Sequence, residues 1–383
     1  MNIYYISYYK APEIENCDFE ISPATQQKSA YIISKLDCLG EKYTVVNMAE
    51  YSSKKGIFTP LSMNLAKNGT YVVWSSFGKP NRVVRRAHYI FRRIQLMRFL
   101  SKLNEKDLVI VYHSLQIADI LFKYKNKRRF KFILELEEIY QDVIDCGKER
   151  ARWEKKVVSV ADGYILSAEV LSAEIPQGHP YMVVNGTYHA EPERNVSFND
   201  DKIHCVYAGT FDQTKGGAAA AAAAAEFLPE KYHVHILGFG TEEQKRKLME
   251  QIQSVQKKAK CTLTYDGLKS GEEYIQFLQK CQIGLCTQIP DAKYTETSFP
   301  SKVLVYLANG LRVLSVRIPA VENSEVGSIL YYYDSQEPRE IAEAIMNIPI
   351  DEGYNSRRLL NELDMKCGKN LKWLMEKVND ELN

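Results

Sequence analysis

Long hydrophobic runs are missing from this chain of 383 residues, since no apolar stretch approaches the ~20 residues that span a bilayer. Its eight cysteines lack the close spacing of metal ligands and are expected to be reduced and structural. A formal net charge of only +2 accompanies a composition typical of soluble globular proteins. The first seven residues, MNIYYIS, resemble a strand rather than a signal peptide, so we expect a cytoplasmic protein.

Basic residues are concentrated in one part of the first half. A segment from Arg82 to Arg98 interleaves arginines with large apolar residues, and a second basic run extends from Lys123 to Arg129. Basic amphipathic segments bind anionic membrane surfaces, so we predict peripheral attachment of both to the inner face of the plasma membrane. The alternative is a helix packed on the core with its arginines in solvent. No aromatic stacking platform accompanies the charge, which argues against nucleic acid.

Short apolar runs alternate with longer periodic segments along the chain, which predicts an α/β protein with parallel sheets and helices on both faces. The length suggests two domains, and the polar stretch 187–201 is the candidate linker. We expect an N-terminal domain at 1–190, a C-terminal domain at 200–350 and a helical tail at 351–383. Strands are expected at 3–8, 43–47, 71–75, 108–112, 130–136, 163–167, 181–184, 204–207, 233–237, 261–265, 283–287, 312–316 and 329–332.

Two turns in the second half each contain a lysine and lead into a helix. The residues of interest are Gly209, Thr210, Lys215 and Gly216 in the first turn, and Ser298, Ser301 and Lys302 in the second. Free amides at a helix start favour anions, and a lysine adds charge. Two such turns predict one ligand with two phosphates, as in a nucleotide sugar. The alternatives are solvated surface lysines and serines that only cap a helix.

Five segments, in order, resemble motifs of glycosyltransferases with the GT-B fold. They are 161–167 with 183–186, 207–217, 235–240, 265–270 and 298–310. The set is most similar to the retaining glycosyltransferase family 4, also called group 1. This resemblance implies two Rossmann-like domains whose parallel sheets face each other across a cleft. It also implies an acceptor on the first domain, a nucleotide sugar on the second, and retention of anomeric configuration.

The resemblance also implies roles for particular residues in the second domain. The donor diphosphate would lie between Lys215 and Lys302. The nucleotide would contact four residues in the turns after two strands, Gly238, Gly240, Gly267 and Leu268. Because residues 238–240 lack the third glycine of the dinucleotide fingerprint, a nicotinamide-dependent enzyme is not expected.

Candidate residues in the first domain follow its strands. His113 comes after an apolar strand, where the family often has a histidine. Glu137 and Glu138 close the next strand, and one of them would orient the acceptor hydroxyl or take its proton. Thr25 and Gln26 begin the first helix and are candidates for binding phosphate or acceptor, although their loop lacks glycine. The alternatives are a histidine with a backbone partner, exposed carboxylates and a simple turn.

The chain departs from the family at the donor ribose. The two glutamates common in the family are replaced by Thr297 and Val305, and Glu296 is one residue out of register. No Asp-x-Asp motif follows a strand, so neither a metal nor another cofactor is expected. The sequence predicts a hexosyltransferase that acts on a lipid-linked or polysaccharide acceptor in bacterial surface glycan synthesis. The alternatives are a non-catalytic GT-B subunit that stabilises a partner glycosyltransferase or glycan, and a nucleotide-sugar epimerase.

Overall fold

The computed structural model describes residues 2–14, 19–140, 146–212, 216–290, 298–350 and 353–380. The chain divides into two compact units, one formed by Met1–Thr187 with Met365–Asn383 and the other by Tyr188–Asp364. Each unit contains its own sheet, so the prediction of two Rossmann-like α/β domains is confirmed. The domain limits expected at 1–190, 200–350 and 351–383 stay predictions.

The first unit is built on a large sheet. Its strands are β1 (Asn2–Ser7), β2 (Phe19–Glu20), β3 (Tyr43–Asn47), β4 (Glu50–Tyr51), β5 (Ile57–Phe58), β6 (Leu61–Leu65), β7 (Gly69–Val73), β8 (Ser76–Phe77), β9 (Asp107–Tyr112), β10 (Lys131–Leu136), β11 (Gly163–Leu166) and β12 (Tyr181–Val183). Its helices are α1 (Pro23–Cys38), α2 (Arg82–Leu100), α3 (Ala118–Arg128) and α4 (Lys148–Val158). Among the described residues the strand order is β12-β11-β10-β9-β1-β3-β7-β6.

This sheet is parallel except at one edge, where β6 pairs antiparallel with β7. Two small antiparallel ladders, β2 with β4 and β5 with β8, lie outside it. Strand β6 was not among the predicted strands, which were expected to form parallel sheets. Strands β9 and β10 are fully buried, which explains their nearly continuous apolar sequences.

The second unit has a smaller sheet. Its strands are β13 (Ile203–Thr210), β14 (Tyr232–Phe239), β15 (Thr262–Gly267), β16 (Ile283–Cys286), β17 (Arg312–Val316) and β18 (Tyr331–Tyr333). Its helices are α5 (Gly217–Ala224), α6 (Glu242–Gln256), α7 (Gly271–Gln279), α8 (Lys302–Ala308), α9 (Pro319–Glu322) and α10 (Pro338–Met346). In the described chain the strand order is β15-β14-β13-β16-β17-β18, with parallel pairing throughout.

A last helix, α11 (Ser356–Asp380), begins in the second unit and ends in the first. Alanines dominate α5, and Ala221, Ala222 and Ala224 are fully buried, because one-carbon side chains let this helix approach its neighbours closely. None of the helices within the described ranges is both long enough and apolar enough to cross a membrane.

Candidate functional site

Two glycines lie side by side where β13 and β14 end. Gly209 and Gly238 are register partners in adjacent parallel strands. Gly238 has φ +136°, and a Cβ atom there would collide with the carbonyl oxygen of Gly209. Only glycine fits this position, because both the backbone angle and the space exclude a side chain. The carboxyl ends of these strands therefore present bare backbone, at the edge where open α/β sheets bind ligands.

Lys302 covers Gly209 with its side chain. A Cβ atom on Gly209 would lie 2.5 Å from Lys302 Nζ, and this ammonium lies 4.8 Å from the centre of the Tyr207 ring. Burial lowers the pKa of Lys302. Among the described residues, no carboxylate or hydrogen-bond acceptor pairs with its ammonium group. A partly buried cation without a protein counter-ion is what an anion-binding site requires.

The start of α5 reaches the same tyrosine ring. Gly216 has φ +66° and precedes the helix without a side-chain cap, and a Cβ atom on Gly217 would lie 2.7 Å from a carbon of the Tyr207 ring. The hydroxyl of Tyr207 donates to the carbonyl of Thr210 over 3.1 Å. The two turns singled out in the sequence thus meet around Tyr207. Lys215 lies outside the described residues.

Two of the predicted phosphate-binding residues, Ser298 and Ser301, lie just before α8. Ser301 is exposed and precedes Lys302, and its side chain makes no cap hydrogen bond to the helix. Ser298 is half-buried and is followed by the buried Phe299 and Pro300. Helix capping therefore does not account for Ser301. Thr297 and Glu296 lie outside the described residues.

Exposed apolar side chains follow the ends of β14 and β15. Phe239 is 55% exposed and Leu268 is 65% exposed. Between them, the Tyr265 hydroxyl donates to the carbonyl of Gly238 over 3.3 Å. Apolar groups at neighbouring strand ends offer a surface against which a flat base can pack. Leu268, Gly240 and Gly267 were singled out for this role from the sequence, whereas Phe239 was missed because it is the variable residue between two glycines.

His113 is buried in the first unit, after β9. Its backbone amide donates to the carbonyl of Glu135 over 3.0 Å, and its Nε2 lies 3.4 Å from Glu154 Oε1. The ring of Tyr140 packs against it at 4.9 Å between centroids. Burial lowers the pKa of His113 to about 4, so the imidazole is neutral at pH 7. Its predicted contact with an acceptor stays a prediction, and in this conformation the ring faces protein.

A buried group of polar side chains surrounds the end of β10. Lys28, on α1, donates from Nζ to the carbonyl of Val184, and the same atom lies 3.5 Å from Glu137 Oε1. Glu135 Oε2 accepts a hydrogen bond of 2.7 Å from the Tyr5 hydroxyl. Burial, followed by the nearby Glu137, raises the pKa of Glu135 to about 8. Glu137 is half-buried, and its carboxylate lies close to both Lys28 and the carboxyl of Glu135. With this raised pKa, Glu135 is mostly protonated at pH 7.

Lys28 was not predicted, because it lies on a core-facing turn of α1 where an apolar residue is expected. Glu138, next in the chain after Glu137, is half-buried. Thr25 Oγ1 lies 3.2 Å from the Tyr112 hydroxyl at the end of β9. Gln26 binds both backbone groups of Lys10, at 2.9 Å each, so its side-chain amide fixes the loop after β1.

Comparison with solved structures identifies the architecture. An alpha,alpha-trehalose-phosphate synthase (UDP-forming) from Burkholderia xenovorans, in complex with glucose-6-phosphate, matches with a TM-score of 0.66, 10% identity, and 98% of this chain and 99% of that chain covered. The sucrose-phosphate synthase of Thermosynechococcus elongatus matches with a TM-score of 0.67 and 13% identity, over 98% of this chain and 99% of that chain. Anabaena HepE in complex with UDP matches with a TM-score of 0.62 and 10% identity, over 100% of this chain and 98% of that chain. The chain has the GT-B fold. No family model matches it, and no curated protein sequence does.

The GT-B likeness extends over the whole chain at low identity, so it establishes the fold, and the roles of individual residues stay predictions. Within the second GT-B domain, the structure places Gly209 against Gly238 and Lys302, and it places Gly217 against the Tyr207 ring. Tyr207 contacts both Lys302 and Gly217 and was missed, because a tyrosine inside a strand has the pattern of an ordinary core residue.

Proposed function

We propose that the protein transfers a hexosyl group from a nucleotide-diphosphate sugar to a lipid-linked or polysaccharide acceptor in bacterial surface glycan synthesis. The observation that carries this proposal is Lys302, a partly buried ammonium beside the amide-rich start of α5 at the ends of β13 and β14. Two GT-B neighbours support the donor class, since one is described as UDP-forming and another was solved with UDP.

In the proposed reaction the bond between the sugar C1 and the diphosphate oxygen breaks, and the acceptor oxygen bonds to C1. The negative charge that develops on the leaving diphosphate is stabilised by Lys302 and by the amides that begin α5. Fixed cations and dipoles of this kind are usually the largest single contribution to rate. We propose that these groups act without a metal ion or other cofactor, with retention of configuration.

The donor proposal is tested by titrating nucleoside diphosphates (UDP, GDP, CDP and ADP) into the full chain by calorimetry. One of them should bind, and Lys302→Ala should weaken that affinity about 10- to 100-fold, since hydrogen bonds to charged groups contribute ~1.5–3 kcal/mol. Lys257→Ala, at an exposed lysine after α6, is the matched control and should bind like wild type. If none of the diphosphates binds, the proposal is wrong.

For the acceptor we propose Glu137 as the group that takes the proton of the attacking hydroxyl. Its carboxylate is half-buried and lies 3.5 Å from Lys28 Nζ, which fixes its position. Glu137→Gln should lower kcat by at least about 100-fold, within the usual range for general base catalysis, and leave diphosphate affinity unchanged. Unchanged turnover would remove Glu137 from the mechanism.

We propose further that the protein attaches peripherally to an anionic membrane through α2. This helix buries His88, Arg92, Leu96 and Leu100, whereas Val83, Ile90 and Ile94 are 78%, 51% and 36% exposed. With Ala87 the exposed apolar residues form a stripe at helical spacing. Arg82, Arg85, Arg86 and Arg98 are also exposed. An apolar stripe edged by arginines matches the chemistry of a bilayer surface with anionic headgroups.

The second basic run contributes less to this surface than the sequence suggests. Lys125 donates to Asp162 over 2.5 Å and to the carbonyl of Phe130 over 2.8 Å. Lys123 lies 3.7 Å from Asp119, which also accepts from Arg93 over 2.6 Å. The exposed charges of this run are Lys123, Lys127, Arg128 and Arg129.

Vesicle sedimentation tests the membrane proposal. The protein should pellet with vesicles that contain phosphatidylglycerol and remain in solution with phosphatidylcholine alone, and salt should weaken the interaction. Ile90→Asp should abolish pelleting. Met365→Asp, the same change at a position 64% exposed on α11, should not. Equal partitioning of both variants would contradict attachment through α2.

The non-catalytic subunit remains the second candidate, because Val305 occupies the usual position of the ribose carboxylate and His113 is buried. It predicts that the isolated chain neither transfers nor hydrolyses sugar from any nucleotide donor. Turnover by the isolated chain that is lost in Lys302→Ala would eliminate this candidate.

A further inference from the structure

Three histidines share one face of the second sheet. His204 on β13 is the register partner of His233 on β14, and His235 lies two residues further along the same strand. Alternate strand residues face the same side, so all three rings project together. Their potential ligand nitrogens lie within 4.8 Å of one another.

Two carboxylates orient two of these rings. His204 Nε2 lies 2.7 Å from Asp200 Oδ1, and His235 Nδ1 lies 3.0 Å from Asp266 Oδ2. An ionised carboxylate can only accept, so each of these outer nitrogens is the N–H donor of its ring. The inner nitrogens, His204 Nδ1 and His235 Nε2, then carry lone pairs and face each other at 2.9 Å.

If His204 and His235 are both neutral, they have two N–H groups in all. Three contacts each need one: His204 with Asp200, His235 with Asp266, and the contact between the two rings. A cation is therefore needed between the inner nitrogens, either an additional proton or a metal ion. Two ligand nitrogens of a tetrahedral zinc site are roughly 3.3 Å apart, given Zn–N bonds of ~2.0–2.1 Å. The observed 2.9 Å separation of these nitrogens needs to open by only a few tenths of an ångström.

The surroundings match a metal site in other respects. A carboxylate that accepts the far N–H of a ligating histidine is the usual outer partner in such sites. Phe198 stacks on His204 and His235, with centroid distances of 4.0 Å and 5.0 Å, and shields that side from water. His233 is half-buried, stacks on His235 at 3.8 Å, and has Nε2 3.0 Å from Thr264 Oγ1. Its ring thus completes a set of three imidazoles within reach of one ion.

We propose that His204, His233 and His235 bind one divalent transition-metal ion, best Zn²⁺, with Asp200 and Asp266 as outer partners. Imidazole ligands without thiolates suit Zn²⁺, Cu²⁺ or Ni²⁺ rather than Mg²⁺ or Ca²⁺. His204 is the second residue of β13, whereas Gly209 lies five residues on, about 16 Å at ~3.3 Å per residue. The ion thus stabilises the sheet away from the proposed donor site.

The test uses the full chain, stripped with EDTA and titrated with Zn²⁺ by calorimetry, with metal content measured after dialysis. Wild type should bind one equivalent, and the doubly substituted His204→Gln, His235→Gln protein should lose at least 100-fold in affinity. Asp266→Asn keeps all three ligands and should weaken binding 10- to 100-fold. His189→Gln, at an exposed histidine of the same unit, should bind like wild type.

Asp266→Asn also decides the matter if the double variant fails to fold, and circular dichroism identifies that case. Bound Co²⁺ provides a second readout, since its visible absorption should indicate tetrahedral nitrogen ligands in wild type and disappear in the double variant. The proposal is overturned if wild type binds no zinc. It is equally overturned if the folded double variant or Asp266→Asn retains wild-type affinity, or if His189→Gln removes the binding.

Discussion

Burial disfavours the charged form of two ionisable side chains, Lys302 and Glu135, and so moves their pKa values in opposite directions. The ammonium of Lys302 is held against Gly209 and the Tyr207 ring, and burial lowers its pKa. The carboxyl of Glu135 accepts from Tyr5, and burial raises its pKa to about 8. A folded protein retains such groups at a cost in stability. Each therefore permits a measurement of stability that is independent of any assay of activity.

Lys302→Met should stabilise the protein while it weakens diphosphate binding. Methionine keeps much of the apolar stem that packs on Gly209 and removes the desolvated charge. We expect the free energy of unfolding, measured in urea, to rise by about 1 kcal/mol, because an unpaired polar group no longer has to be taken out of water. Lys257→Met, at the exposed control position, should change it little. A loss above about 1 kcal/mol in Lys302→Met would mean that the ammonium supports the fold instead of a ligand.

Glu135→Gln should change how stability depends on pH. In the folded protein Glu135 keeps its proton up to about pH 8, whereas the unfolded chain loses it near the ordinary carboxyl value. The folded state therefore binds more protons in this interval, and the stability of wild type falls as pH rises. Glutamine cannot ionise, so the variant should gain on the order of 1–3 kcal/mol relative to wild type between pH 5 and pH 8. Urea denaturation at each pH, with the exposed Glu193→Gln as control, measures this difference.

At the scale of elements, the glycine turns after β13 and β14 shape the proposed donor site. The strands themselves were predictable, because apolar runs bounded by turn residues determine their positions. The segments 43–47 and 312–316 were expected to be strands and are strands β3 and β17. The edge strand β6 was not expected, since its pairing depends on a hairpin with β7 rather than on a crossover helix.

Gly238→Ala should destabilise the second unit much more than Gly267→Ala. Both glycines have positive φ, +136° and +79°, so alanine introduces backbone strain at either position. A Cβ atom at Gly238 would also collide with the Gly209 carbonyl, whereas Gly267 has no atom within 4 Å of that position. We expect the free energy of unfolding to fall by about 1 kcal/mol in Gly267→Ala and by at least about 3 kcal/mol in Gly238→Ala. Equal losses in denaturant unfolding would show that the collision relaxes without cost.

The candidate sites were less predictable than the elements. The lysines and glycines of the two turns were visible in the sequence. The alternation of strands and helices was enough to predict that both turns lie at the same edge of the sheet. The pairing of Lys28 with Glu137 was not visible, because it joins a helix to a strand end more than a hundred residues away. The group formed by His204, His233 and His235 was missed for the same reason. His233 and His235 lie on the same face of β14, but only the pairing of β13 with β14 brings His204 beside them.

At the scale of the whole molecule, each unit has its own sheet and core, and α11 is shared by both. Ser356, near the start of α11, donates to the carbonyl of Leu307, whereas Leu374 and Val378 border Gly163 of the first unit. A ligand that binds one folded unit stabilises that unit by mass action. The proposed donor site therefore predicts an effect confined to part of the chain.

Hydrogen exchange with and without a nucleoside diphosphate should locate that effect. At a ligand concentration of 100 times Kd, binding should stabilise the second unit by about 2.7 kcal/mol against opening. We expect slower exchange in segments 207–212, 216–220, 238–241 and 266–269, and no change in β9 or β10 of the first unit. Lys302→Ala, at the concentration that saturates wild type, should reduce this protection, and Lys257→Ala should not. Protection that appears only in the first unit would place the diphosphate site there and would contradict the assignment of Lys302.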